Sequence, residues 1–121
     1  MWTYSQGTGK LIDTDGRTVA VGYSGHGNGR NNCELQHVRG IGPIPQGMWV
    51  IGKPRNSDNV GPYAMDLKPV EGTETFGRSA FMIHGDNGDT ILDESRGCII
   101  LRRAVRHIIW DSGDRVLKVV P

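Results

Sequence analysis

The chain has 121 residues, 36% of them hydrophobic, and 14 basic against 13 acidic side chains leave a net charge of +1. That length is one domain's worth, and Leu, Ile, Val and Phe together (28 of 121) are too many for an intrinsically disordered chain. Scattered, nearly balanced charge excludes the basic footprint of a nucleic-acid or anionic-lipid binder, and no apolar run approaches the length of a membrane span.

The opening Met1-Trp2-Thr3-Tyr4-Ser5-Gln6 has neither a basic n-region nor an apolar h-region, so no ordinary secretory signal is expected. The 18 glycines are about twice the usual share and follow no period. They describe a mostly β domain over residues 1–121, with short strands and tight turns. Trp2 to Ser5 reads as a strand at the edge of a hairpin. The hairpin itself is Lys10–Asp13 and Thr18–Val21 around Thr14-Asp15-Gly16-Arg17, because Asp-Gly between alternating segments is a strong turn signal. Residues 22–32 hold four glycines and three asparagines and read as an irregular loop.

Gly42-Pro43-Ile44-Pro45-Gln46-Gly47 reads as a rigid turn into a strand Met48–Ile51. Tyr63–Leu67 reads as a strand cut off by Pro69, and the apolar run Ala80–His84 as a central, doubly buried strand. One principal helix is expected after Cys98. Leu101, Ala104, Val105, Ile108 and Ile109 would form its apolar face, with Arg102, Arg103 and Arg106 outside and Gly113 just past its end. Arg115–Val120 closes the chain as a strand.

His84-Gly85-Asp86 and Ser95-Arg96-Gly97-Cys98 carry the chemistry. A histidine at the end of a buried strand is held rigidly. A cysteine close to a helix start has its thiolate favoured by backbone N–H groups, and Arg96 would add positive potential. Thiolate and imidazole are the minimum equipment for acyl transfer through a thioester, and N–H groups around Gly97 and Cys98 can form an oxyanion hole. The bland alternative is a buried core thiol and a hydrogen-bonded strand-end histidine. A metal site built from His26, His84 and Asp86 or Asp89 has no supporting ligand spacing. Cys33 lies in a polar segment and reads as incidental, although pairing with Cys98 would block the thiol. His37 and His107 read as surface residues and Trp110 as core.

Several segments in this order resemble the type VI secretion L,D-transpeptidase effector family, whose domains are similar to the wider L,D-transpeptidase (YkuD-type) fold, a β-sandwich or barrel-like architecture. They are Trp2-Thr3-Tyr4-Ser5-Gln6-x-Thr8-Gly9, Gly22-Tyr23-Ser24-Gly25-His26-Gly27, Asn31-Asn32 and Gly42-Pro43-Ile44-Pro45-x-Gly47. Gly77-Arg78-Ser79-x-Phe81-x-Ile83-His84-Gly85-Asp86 and Ser95-x-Gly97-Cys98-Ile99-Ile100-Leu101 complete the set. Arg96 and Ile100 stand where the broader family carries a second histidine and an asparagine, and the gap from His84 to Cys98 is shorter.

The resemblance implies Cys98 as nucleophile, His84 as general base and the carbonyl of Gly85 as the group that orients the imidazole. No cofactor is implied. The substrate would be the peptide stem of peptidoglycan, cut between its third-position diamino acid and terminal D-Ala by water (L,D-carboxypeptidase) or by a D-amino acid (exchange). Tyr23, Ser24, His26, Arg78, Ser95, Arg96 and Gly97 would line the substrate site, with Arg30 a further partner for stem carboxylates. Type VI machinery would carry the protein from the producer's cytoplasm to a target periplasm, and a cognate immunity protein would plug the cleft. The competing reading, from another class, is a catalytically silent peptidoglycan-binding module.

Overall fold

In the first strand, β1 (Trp2–Ser5), Trp2 and Tyr4 are buried while Thr3 and Ser5 are half-buried, the alternation of a strand with one face on the core. A computed structural model describes residues 1–86 and 97–121. β2 (Lys10–Ile12) and β3 (Thr18–Val21) form the hairpin announced by Asp15-Gly16, with Gly16 at φ 84°. β1 pairs antiparallel with β2 and also parallel with β10 (Val116–Val120). It thus adds to the edge of the hairpin, as expected, and its other edge is taken by β10, which makes it an interior strand of the whole sheet. β5 (Gly47–Ile51) continues the sheet antiparallel to β10 and matches Leu117 with Trp49.

β7 (Gly61–Pro69) carries the sheet on from β5 into its second half. It runs past the expected stop at Leu67, because Pro69 falls at the strand's end, where a missing N–H is tolerated. β6 (Arg55–Ser57) pairs beside it. Next come β8 (Met82–His84), β9 (Ile99–Ile100) and β4 (Tyr23–Ser24). The path β3-β2-β1-β10-β5-β7-β8-β9-β4 is open among the described residues. β8 and β9 are parallel; β7–β8 and β9–β4 are antiparallel.

The glycine-rich segment thus contributes a short strand, β4, and 3-10 turns at Gly27–Gly29 and Cys33–Leu35. Glycine permits close backbone approach here and in the turn that follows: a Cβ on Gly29 would lie 2.0 Å from the Ile41 carbonyl, and one on Gly42 would lie 1.8 Å from that of Leu35.

The helix α1 (Arg103–Asp111) begins later than the periodicity predicts, because Ile99 and Ile100, β-branched residues, are taken up by β9. Its buried stripe is Val105, Arg106 and Ile109, while Ala104 and Ile108 are exposed. Arg106, expected on the outer face, is therefore an interior side chain. Gly113 ends the helix with φ 80° and donates to the Trp110 carbonyl, as its position implied.

Candidate active site

The half of the sheet made by β7, β8, β9 and β4 has two faces. Met65, Ile83 and Ile99 point into the main core, and Ala64, Met82, Cys98 and Ile100 form a second apolar cluster on the other side. Register follows from the pairs Asp66↔Met82, Ile83↔Ile99, His84↔Ile100 and Tyr23↔Ile100. His84, Ile100 and Tyr23 make one row across this second face. Asp66 and Met82 make the adjacent row, which Cys98 continues. His84 and Cys98, the residue just before β9, are thus diagonal neighbours on one face.

His84 is fully buried, and its Nδ1 lies 2.9 Å from the Gly85 carbonyl oxygen. A carbonyl only accepts, so Nδ1 carries the proton and donates, which makes Nε2 the basic nitrogen. Cys98 is also buried, and its Sγ donates to the Ala80 carbonyl at 3.8 Å. Burial pushes the thiol pKa up to about 11, opposed by a backbone hydrogen bond from Met82 and the charge of Arg78 and reinforced by Asp66. This corrects the expectation of a thiol acidified by a helix start: β9 stands between Cys98 and α1, so the helix N-terminus is not at the sulfur. The resting group is a neutral thiol. Cys33 and Cys98 are separate free thiols.

Arg78 is buried beside this row. Its Nη1 donates to the carbonyls of Gln36 and, at 2.9 Å, Pro43, and its Nη2 donates to Gly42 at 2.8 Å. The guanidinium is thereby engaged with the loop that precedes β5, with the Phe81 ring 5.2 Å away. Gly97, at φ 94°, passes so close that a Cβ would lie 2.7 Å from both Arg78 Nη2 and Phe81. A depression of about 330 Å³ lined by Asp66, Arg78, Ala80 and Phe81 opens on this side.

Tyr23 is half-buried; its hydroxyl donates to Asp86 at 2.9 Å, and Arg30 stacks on its ring at 3.6 Å. Ser24 is buried, and its Oγ accepts from the Ile44 N–H at 2.9 Å, tying β4 to the Pro43–Pro45 turn. His26 is exposed and anchored through its backbone N–H to the Ile41 carbonyl. Ser95 and Arg96, like Asp89, lie outside the described residues. Among the described residues, no three His, Cys, Asp or Glu side chains gather as metal ligands would, and no helix is long and apolar enough to cross a membrane.

Beyond His84 a groove of about 610 Å³ runs along Tyr23, Gly85, Ile100 and the start of α1. A sequence model of the Tlde1 domain, the type VI secretion L,D-transpeptidase effector 1 family, matches residues 18–119. The chain belongs to this family. It is thereby a type VI secretion effector of L,D-transpeptidase-like kind. No curated protein and no solved structure matches it.

Several residues of this Tlde1 domain's site region are not legible in the sequence. Arg106 lines the groove although a helical arginine reads as solvent-facing. Tyr63, with φ 54°, stacks on His107 at 3.8 Å, so His107 is half-buried against a ring and not a plain surface residue. The isoleucine pair after Cys98 was the signal that a strand, and not the helix, follows the thiol.

Proposed function

We propose that this domain is a cysteine acyl transferase acting on peptidoglycan stem tetrapeptides, built on a variant of the YkuD-type fold. The observation that carries the reading is the placement of His84, fixed as an Nε2 base by the Gly85 carbonyl, diagonal to Cys98 on one sheet face. Because burial keeps Cys98 neutral, proton transfer accompanies attack. Nε2 takes the Sγ proton as sulfur bonds to the carbonyl carbon between the diamino acid and terminal D-Ala. The resulting oxyanion is met by N–H groups of Gly97 and Cys98.

Collapse of that intermediate breaks the C–N bond, and D-Ala leaves with the proton returned by His84. Water then attacks the thioester and releases tripeptide, or the amine of a D-amino acid attacks and gives the exchanged tetrapeptide. In both branches His84 takes a proton from the incoming nucleophile and returns one to Cys98.

The rows argue for Tyr23 as a cleft wall, since it shares the His84 row. Arg78 and Gly97 act by fixing the loop and the backbone beside Cys98. In this reading the effector works in the target periplasm and is neutralised by an immunity protein seated on the cleft. Incubation with disaccharide tetrapeptide, with and without D-Met, followed by mass spectrometry, tests it. Tripeptide or D-Met-exchanged product, lost in Cys98→Ala, is expected. No product from folded, reduced wild type would leave the binding-module reading.

A further inference from the structure

α1 starts with consecutive arginines and no acidic residue in its first turn, and its N-cap residue, Arg102, makes no side-chain cap. Arg102, Arg103 and Arg106 all border the groove beyond His84. Among the described lining residues Asp86 is the one acid, and it already accepts from the Tyr23 hydroxyl.

Arg106 is the decisive group. The residue is 5% exposed, and its Nη1 donates to the carbonyls of Pro62 and Tyr63 at 2.8 and 2.9 Å. Among the described residues its buried Nε has no hydrogen-bond partner, and its Nη2 lies over Gly85, where an added Cβ would be 2.7 Å away. A buried cation with an unanswered donor is costly unless an anion completes it. Burial, and then the charge of Arg103, push the Arg106 pKa down, a repulsion that an arriving carboxylate relieves. Arg103 stands 5.8 Å from the Tyr63 ring, whose carbonyl Arg106 holds, so both guanidinium groups serve one end of the groove.

We propose that Arg106 and Arg103, at the start of α1, form an anion subsite that takes a carboxylate of the stem peptide, on the acyl-donor side of the scissile bond. The assignment to a stem peptide rests on the function proposed above; the anion subsite itself rests on the groove. Position selects the donor side. Gly85, one residue past the end of β8, is three residues on from Met82, the residue level with Cys98, so roughly 10 Å separate the subsite from the thiol row. The terminal D-Ala carboxylate reaches only about one residue, ~3.5 Å, past the bond being cut.

Two arms keep the subsite and the function separable. In the first, the wild-type protein is titrated with glutarate while the arginine Nε–Hε and backbone amide NMR signals are followed. Saturable shifts at Arg106 and Arg103 that weaken with added salt are expected; unsaturable shifts spread over exposed arginines, or none, would overturn the subsite even if tetrapeptide is turned over. In the second, Cys98→Ala is titrated calorimetrically with tetrapeptide and with the same peptide carrying amidated donor-side carboxylates. Amidation is expected to weaken binding about tenfold or more, as loss of a charged hydrogen-bonded pair does.

Arg103→Gln, exposed and free of fold contacts made by Arg106, should erase that difference. In otherwise wild-type enzyme it should raise KM with kcat kept. Equal binding of the two peptides, or no binding of either beside a saturable glutarate site, would overturn the stem-carboxylate assignment. Arg106→Lys, which keeps charge without the fork, should lose the difference as Arg103→Gln does.

Discussion

The two halves of the sheet solve different problems. The half from β3 to β5 is regular: Trp2, Leu117 and Trp49 lie across paired strands, and apolar burial does the holding. The half from β7 to β4 has strands of two or three residues after β7, and buried polar groups position it. Arg78 gathers three carbonyls of the 36–43 loop, Arg106 two of β7, Ser24 the Ile44 N–H, and His84 the Gly85 carbonyl. Apolar burial is non-directional, whereas a hydrogen bond fixes distance and angle. The regular half buries Gln6, just past β1, whose Nε2 donates to the Ile44 carbonyl. The charged and catalytic-type side chains that are buried, Arg78, Arg106 and His84, all lie in the half that must aim side chains.

The comparison breaks most visibly at Arg78. Arg78→Met leaves the carbonyls of Gln36, Gly42 and Pro43 without donors and should cost about 3 kcal/mol or more in urea unfolding. A loss below about 1 kcal/mol would show the loop is held by other contacts. Gly97→Ala follows, since its Cβ would meet Arg78 and Phe81 at a left-handed φ. It should destabilise by about 2–3 kcal/mol and abolish turnover.

A titration sharpens the account of Cys98. In the unfolded chain the thiol ionises near its ordinary 9.0, in the folded protein at about 11. Ionisation therefore favours the unfolded chain as pH rises. The thiol's contribution is complete below pH 9 and is lost as pH climbs through 11. Against Cys98→Ala, wild type should lose about 2–3 kcal/mol over that window; parallel curves would contradict the burial of a neutral thiol. The smallest effect lies in the regular half. Tyr4 is fully buried with its hydroxyl unpaired among the described residues, so Tyr4→Phe should stabilise by up to about 1 kcal/mol in thermal or urea unfolding.

Legibility in the sequence divides along the same line. The Asp15-Gly16 hairpin, the strands after Pro45 and before Pro121, and the Gly113 helix end follow from local turn chemistry and alternation, and they appear as expected. The site half was legible only in part. His84 at the end of a buried strand was readable from its apolar run, and the Gly85 carbonyl came from family resemblance. The burial of Arg106 was not readable, because amphipathic patterning assigns arginine outward and cannot know that Pro62 and Tyr63 present carbonyls to it. Nor was β4, whose two residues acquire strand geometry only by pairing with Ile99 and Ile100.

The central claim is that acyl groups pass through Cys98. Wild-type protein mixed with disaccharide tetrapeptide, quenched in acid and weighed intact, tests it most directly. The account predicts a mass increase equal to the acyl donor less D-Ala, located by peptide mapping on Cys98 and absent from Cys98→Ala. Tetrapeptide conversion by Cys98→Ala at the wild-type rate would contradict it.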